Sequence, residues 1–189
     1  MKKNIFRTLL VSTLVTGATF FAACDEEAGI VIGIDQDFES IYAVEPFTGT
    51  SINKIDTVSF NLDSLLAENN ADTSNIESIE FKGLSVAITD SLGNTITSQN
   101  FSNFRELNAQ IAGLNSSFSQ IAIMDSVTLA PLVNNNPLVF PGTAIIPTNL
   151  VPYVSAPSFR IQLSSRIGAP ITSTMYIKSK ITVKINAKI

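Results

Sequence analysis

Apolar and polar side chains alternate most regularly at the C-terminus. Met175, Ile177, Ile181, Val183, Ile185 and Ile189 interleave with Tyr176, Lys178, Lys180, Thr182, Lys184 and Lys188. A period of two sends successive side chains to opposite faces of an extended chain, which predicts a long strand with one dry and one wet face. Its lysines discourage pairing with foreign strands. Phe159, Ile161 and Leu163 alternate with Arg160, Gln162 and Ser164, predicting the preceding strand at 158–165. Phe81, Leu84, Val86 and Ile88 mark another, ending at the turn Asp90-Ser91-Leu92-Gly93-Asn94, from which 95–99 leads back as a hairpin. Further strands are expected at 57–62, 119–124 and 128–133, while 29–34 and 40–44 open the domain.

Helical spacing is sparse. Phe104, Leu107, Ile111 and Leu114 step by three, four and three behind Ser102, which predicts a short helix over 103–113 with Ser102 as its cap. One or two helical turns are expected at 63–70. Many short strands punctuated by turns, without the crossover helices that a parallel sheet needs, predict a mostly-β fold. The expected architecture is an antiparallel β-sandwich with one or two short helices.

Between Ser126 and Phe159 no residue is charged, and six prolines occur: Pro131, Pro137, Pro141, Pro147, Pro152 and Pro157. Proline lacks a ladder donor, so this stretch is read as short edge strands and loops. One account has its apolar side chains closing an open end of the core. The other leaves part of it exposed for a partner, with Phe140 and Tyr153 as the candidate contacts.

The chain has 189 residues, 45% hydrophobic and 15% charged, with no Trp, no His and one Cys. That is matter for one proper core rather than a disordered chain. Without a second cysteine the fold stands on burial, with no internal disulfide. Without histidine the usual zinc and copper sites and the Ser-His-Asp and Cys-His arrangements are ruled out.

The lone cysteine has a specific setting. Lys2, Lys3 and Arg7 form a basic start, a short apolar run extends from Leu9 to Phe21, and Ala22-Ala23 precede Cys24. The run is too short and too interrupted to be a comfortable membrane span, and reads as a signal peptide. Ala22-Ala23-Cys24, with Phe21 where leucine is usual, resembles the lipobox of bacterial lipoproteins. The resemblance implies cleavage before Cys24 and acylation of that residue. Asp25-Glu26-Glu27 resembles the acidic signal that exports lipoproteins of the Bacteroidota to the outer face of their outer membrane. The enteric sorting rule would instead read Asp25 as retention at the inner membrane.

A second feature favours export. Four Asp-Ser/Thr-aliphatic triplets occur, centred on Thr57, Ser64, Ser91 and Ser126. They resemble the O-glycosylation sequon of that same phylum, which makes these four hydroxyls candidate glycosylation sites. The same triplets also suit ordinary turn and cap chemistry. The implied organisation is a signal peptide at 1–23, a lipidated acidic tether at 24–40 and a β-sandwich domain at 41–189.

Charge divides along the chain. Residues 25–125 hold all 16 acids and three bases (Lys54, Lys82, Arg105), whereas 126–189 hold six bases and no acid. Acidic and basic strands lying side by side in one sheet would neutralise each other, and a basic face for phosphate or lipid is the other reading. An acidic mature chain argues against nucleic acid as a partner. Asp35, Asp37 and Glu39 alternate as hard oxygen ligands for calcium would, but lack the loop glycine and read better as solvated linker. No phosphate loop or tryptophan platform is present.

These features predict no enzyme, no cofactor, no metal and no catalytic residues. They predict a lipid-anchored protein of the outer membrane, at the cell surface. Its expected role is binding or structural: an adhesive, accessory or assembly component touching the membrane through its N-terminal lipid and an unidentified protein or glycan partner. The alternative is a carrier of a hydrophobic ligand inside the sandwich.

Overall fold

The computed structural model describes residues 30–154 and 157–189. Eight strands build it: β1 (Val31–Val44), β2 (Ser51–Ser59), β3 (Ile76–Thr89), β4 (Phe104–Gly113), β5 (Ser119–Met124), β6 (Leu138–Val139), β7 (Ser158–Ile167) and β8 (Met175–Lys188). They form two antiparallel four-stranded sheets, in the orders β1-β8-β3-β6 and β2-β7-β4-β5. Only β4–β5 is a hairpin within one sheet, since every other link crosses to the opposite sheet. This strand order is that of an eight-stranded jelly roll, a form of antiparallel sandwich. Three short helices decorate it: α1 (Leu62–Glu68), α2 (Ser126–Leu129) and α3 (Val151–Val154).

The core lies between the sheets. β8 buries Ile177, Ile181, Val183, Ile185 and Ala187 and turns its lysines outward, as its period of two demands. Phe38 of β1 meets Phe159 of β7 across the interior at 5.1 Å and Phe60 at 5.0 Å, both edge to face. The loops at 45–50, 90–103, 125–137 and 168–174 gather at one end of the sandwich. Ile30, Ile189, the 60–75 connection and the 114–118 turn mark the other.

Several expectations are corrected. The 103–113 segment is strand β4, not helix. Phe104 pairs with Ile167 and Glu106 with Arg166, so one extra residue bulges at Arg105 and shifts the alternation by one. Phe104 and Leu107 thereby both face inward, and a broken period of two imitates a helical step. The 128–133 segment is α2 followed by a 3-10 turn, because Asp125 accepts the Thr128 N–H and caps a helix there.

Residues 31–40 belong to β1 rather than to a tether, so the sandwich begins ten residues before the expected 41. β2 covers 51–59 rather than 57–62, and its inward row is Ile52, Lys54, Asp56 and Val58, apolar only at its ends.

The expected hairpin at 95–99 shrinks to a single bridge between Thr89 and Thr95. A side chain takes the place of the missing strand. Asn136 Oδ1 accepts the Ile88 N–H at 2.9 Å, while its Nδ2 donates to the carbonyls of Ile88 at 3.1 Å and Ile96 at 2.8 Å. Asn136→Ala strands the N–H of fully buried Ile88, whose carbonyl keeps the Ile96 N–H at 2.9 Å, and should cost about 1–3 kcal/mol. Chemical denaturation checks this, and a loss below about 0.5 kcal/mol would contradict the assigned role.

Candidate functional site

The expected lipidation residue Cys24 and the acids Asp25, Glu26 and Glu27 lie outside the described residues. Among the described residues, no helix is long and apolar enough to cross a membrane.

The four sequon hydroxyls are all exposed, and none takes part in a hydrogen bond among the described residues. Thr57 sits on β2, its N–H donating to Asp56 Oδ1 at 2.8 Å. Ser64 lies in the first turn of α1, its N–H donating to the cap Asn61 at 3.0 Å. Ser91 crowns the turn after β3, where the Asp90 carboxylate accepts from the N–H groups of Leu92 and Asn94 and from Asn94 Nδ2. The Asn94 side chain, then its backbone N–H, holds the Asp90 carboxyl below its usual range. Ser126 opens α2, and the Thr128 N–H likewise lowers the carboxyl of the capping Asp125.

Turn and cap chemistry accounts for Asp90 and Asp125, whereas Asp56 meets only the adjacent N–H on β2 and α1 is capped by Asn61 rather than Asp63. It does not account for the aliphatic residues that follow. Leu92 is 82% and Val127 78% exposed, the highest values among the described large apolar residues. Ser91 and Ser126 thus each present a free hydroxyl beside an exposed aliphatic side chain. Ser91 and Ser126 lie at the loop end of the sandwich, Thr57 and Ser64 towards the end that holds Ile30 and Ile189. The four do not form one site.

The charge division resolves mostly in the sheet that holds β8, with Arg166 of β7 meeting Glu106 of β4 at 3.9 Å in the other. Lys180 reaches Asp37 at 2.7 Å and Lys178 reaches Glu39 at 3.0 Å across the β1–β8 pairing, and Lys188 reaches Glu77 at 3.1 Å. Basic β8 runs between acidic β1 and β3, so cross-strand pairing takes up three of its four lysines, Lys178, Lys180 and Lys188. Asp35, Asp37 and Glu39 thus lie on a strand, neither solvated linker nor calcium loop. Among the described residues no group of three or more potential ligands could hold a metal ion.

Phe140 is 3% exposed, which corrects its reading as a partner contact. Its N–H donates to the Leu84 carbonyl at 2.9 Å, extending the β6 pairing by one residue. Leu138 and Phe140 accordingly face inward, and Val139 between them is 62% exposed. The apolar segment closes the core here. Tyr153 on α3 is half-buried, and its hydroxyl shares a 2.7 Å hydrogen bond with Ser119. Tyr42 is buried facing the interior, where desolvation pushes its phenol up.

No family model matches the chain, and no curated protein matches it. Among solved structures, a chain of Desmodium yellow mottle tymovirus is 14% identical, with a TM-score of 0.29, over 100% of this chain and 97% of that chain. A chain of turnip yellow mosaic virus is 14% identical, with a TM-score of 0.28, over 94% of this chain and 92% of that chain. At such scores neither likeness bears on fold or function, and the jelly-roll assignment rests on the strand order alone.

Proposed function

We propose that this protein is a lipid-anchored lipoprotein of the outer membrane, displayed at the cell surface. Its jelly roll serves a non-catalytic binding or structural role, as an adhesive, accessory or assembly component. One observation supports this reading best: β1 begins at Val31, seven positions after Cys24. Seven residue steps span at most about 25 Å. An acyl group on Cys24 would hold the Ile30–Ile189 end near the bilayer and turn the loops bearing Ser91 and Ser126 outward. The fold alone selects no function. The inward faces meet through their own aromatic side chains, which favours binding on the outer surface over carriage of a hydrophobic ligand between the sheets.

Metabolic labelling with palmitate, followed by intact-mass measurement of the membrane form, tests this. The expected mass is that of an acylated chain beginning at Cys24, raised further by sugar at some of Thr57, Ser64, Ser91 and Ser126, with Ser91 and Ser126 modified first. An unacylated chain retaining residues 1–23 would overturn the anchor. An acylated chain without sugar would remove only the glycosylation.

A further inference from the structure

β1 is an end strand, paired with β8 on one side and, among the described residues, with nothing on the other. The phase of its hydrogen bonds comes from one contact. The Ile189 N–H donates to the Ile30 carbonyl at 2.9 Å, which makes 30 and 189 a hydrogen-bonded pair. The register then runs without a shift from Val31 opposite Lys188 to Val44 opposite Met175. Even-numbered residues therefore bond to β8. The odd ones (Val31, Gly33, Asp35, Asp37, Glu39, Ile41 and Ala43) point their N–H and C=O groups out of the open edge. The Gln36 side chain fits this phase, since its Nε2 donates to the outward Asp37 carbonyl at 2.7 Å.

Open edges attract other chains, and folded proteins usually obstruct them. The other three edges here are obstructed. β6 is two residues long between Pro137 and Pro141, and β5 is short, bulged opposite β4 and bridged by Ile145. β2 is nine residues long and carries Lys54. β1 alone extends over 14 residues with no proline, no lysine and no bulge.

We infer that this edge is a docking rail for an extended segment of a partner protein, added as a ninth strand. Charge selects the partner. The outward row carries Asp35, which makes no ion pair among the described residues, and Asp37 and Glu39, each held by a lysine from the β8 side. β8 thus shows what suits the row: lysines outward at alternate positions, aliphatic side chains inward. A second copy of β1 is a poor match. Antiparallel self-pairing along its length sets Asp37 against Asp37 and Asp35 against Glu39, and like charges directly opposite are destabilising. The fitting segment alternates basic and aliphatic residues. Main-chain hydrogen bonds supply its affinity and the acidic row its specificity.

The rail supplies a surface for the binding role proposed above, yet the edge does not depend on the anchor. The test uses the full-length protein and a fluorescent peptide alternating lysine with valine and isoleucine, followed by anisotropy, with hydrogen exchange of residues 31–44 alongside. Saturable binding that protects 31–44 is expected, together with at least about tenfold weaker binding of the same peptide carrying glutamate for lysine. Asp35→Pro removes one outward N–H at a residue making no ion pair and should weaken binding by a similar factor. If the proline variant does not fold, Asp35→Lys, which leaves the backbone intact, should weaken binding equally. No binding, equal binding of the glutamate peptide, or unchanged binding by both folded variants would overturn the inference. Palmitate labelling reads the anchor separately, so either can fail without the other.

Discussion

Phe140→Asp should abolish stable folding. Phe140 is 3% exposed and packs in the core beside Leu138, held there by its own backbone bond to Leu84. Removing a buried phenylalanine side chain costs about 3–5 kcal/mol, and placing a carboxylate in the apolar gap adds the cost of desolvating it or of taking up its proton. A total above about 5 kcal/mol consumes most or all of an ordinary stability margin. The expected result is low soluble yield and no cooperative thermal transition. Phe140→Leu, which keeps most of the volume, should cost no more than about 1.5 kcal/mol. An aspartate variant melting near the parent would mean that the side chain lies on the surface after all. Val139→Asp supplies the contrast: its side chain is 62% exposed on the other face of the same strand, and melting should shift little.

The same segment shows what a sequence conceals. Leu138-Val139-Phe140 is too short to display a period of two, and Pro141-Gly142 after it marks a turn, where apolar residues are often exposed. Burial of Phe140 is decided by β3 alongside, some fifty positions earlier in the chain. Where one face of a strand is wet and no bulge intervenes, the alternation is legible, and β8, β7 and β5 lie within a few residues of their expected bounds. It fails where a local device interrupts it. The bulge at Arg105 gives β4 the look of a helix, and the Asp125 cap makes α2 of an expected strand. β1 reads as two short strands around an acidic linker because Ser40 occupies an inward position and the acids crowd the outward row.

The neutralisation of basic β8 by acidic neighbours could be anticipated from the charge division. Which strand lies at an edge could not. Sheet order is set by packing between distant segments, and no residue of β1 marks it as terminal. The open rail therefore becomes visible only once β8 is seen to have β1 on one side and β3 on the other.

Cys24→Ala should abolish lipid labelling and leave the protein either uncut or released from the membrane. Cys24 is the only thiol of the chain, so the substitution leaves no second site for a thioether-linked lipid. Each buried methylene contributes about 0.8 kcal/mol, and a single acyl chain gives only marginal, reversible attachment, whereas two or more hold a protein stably. Losing every chain at once is thus an all-or-none change. Palmitate label should fall to background, and the variant should be found either as uncut precursor or as released chain. The fold should be unaffected, because the sandwich begins at β1 and Cys24 precedes it by seven positions. Normal retention of the variant in washed membranes would defeat the lipoprotein reading. Replacing Asp25, Glu26 and Glu27 by alanine separates anchoring from export: the label should persist, while external protease should no longer reach the protein on intact cells. Equal digestion of variant and parent would show that these acids do not direct the chain to the surface.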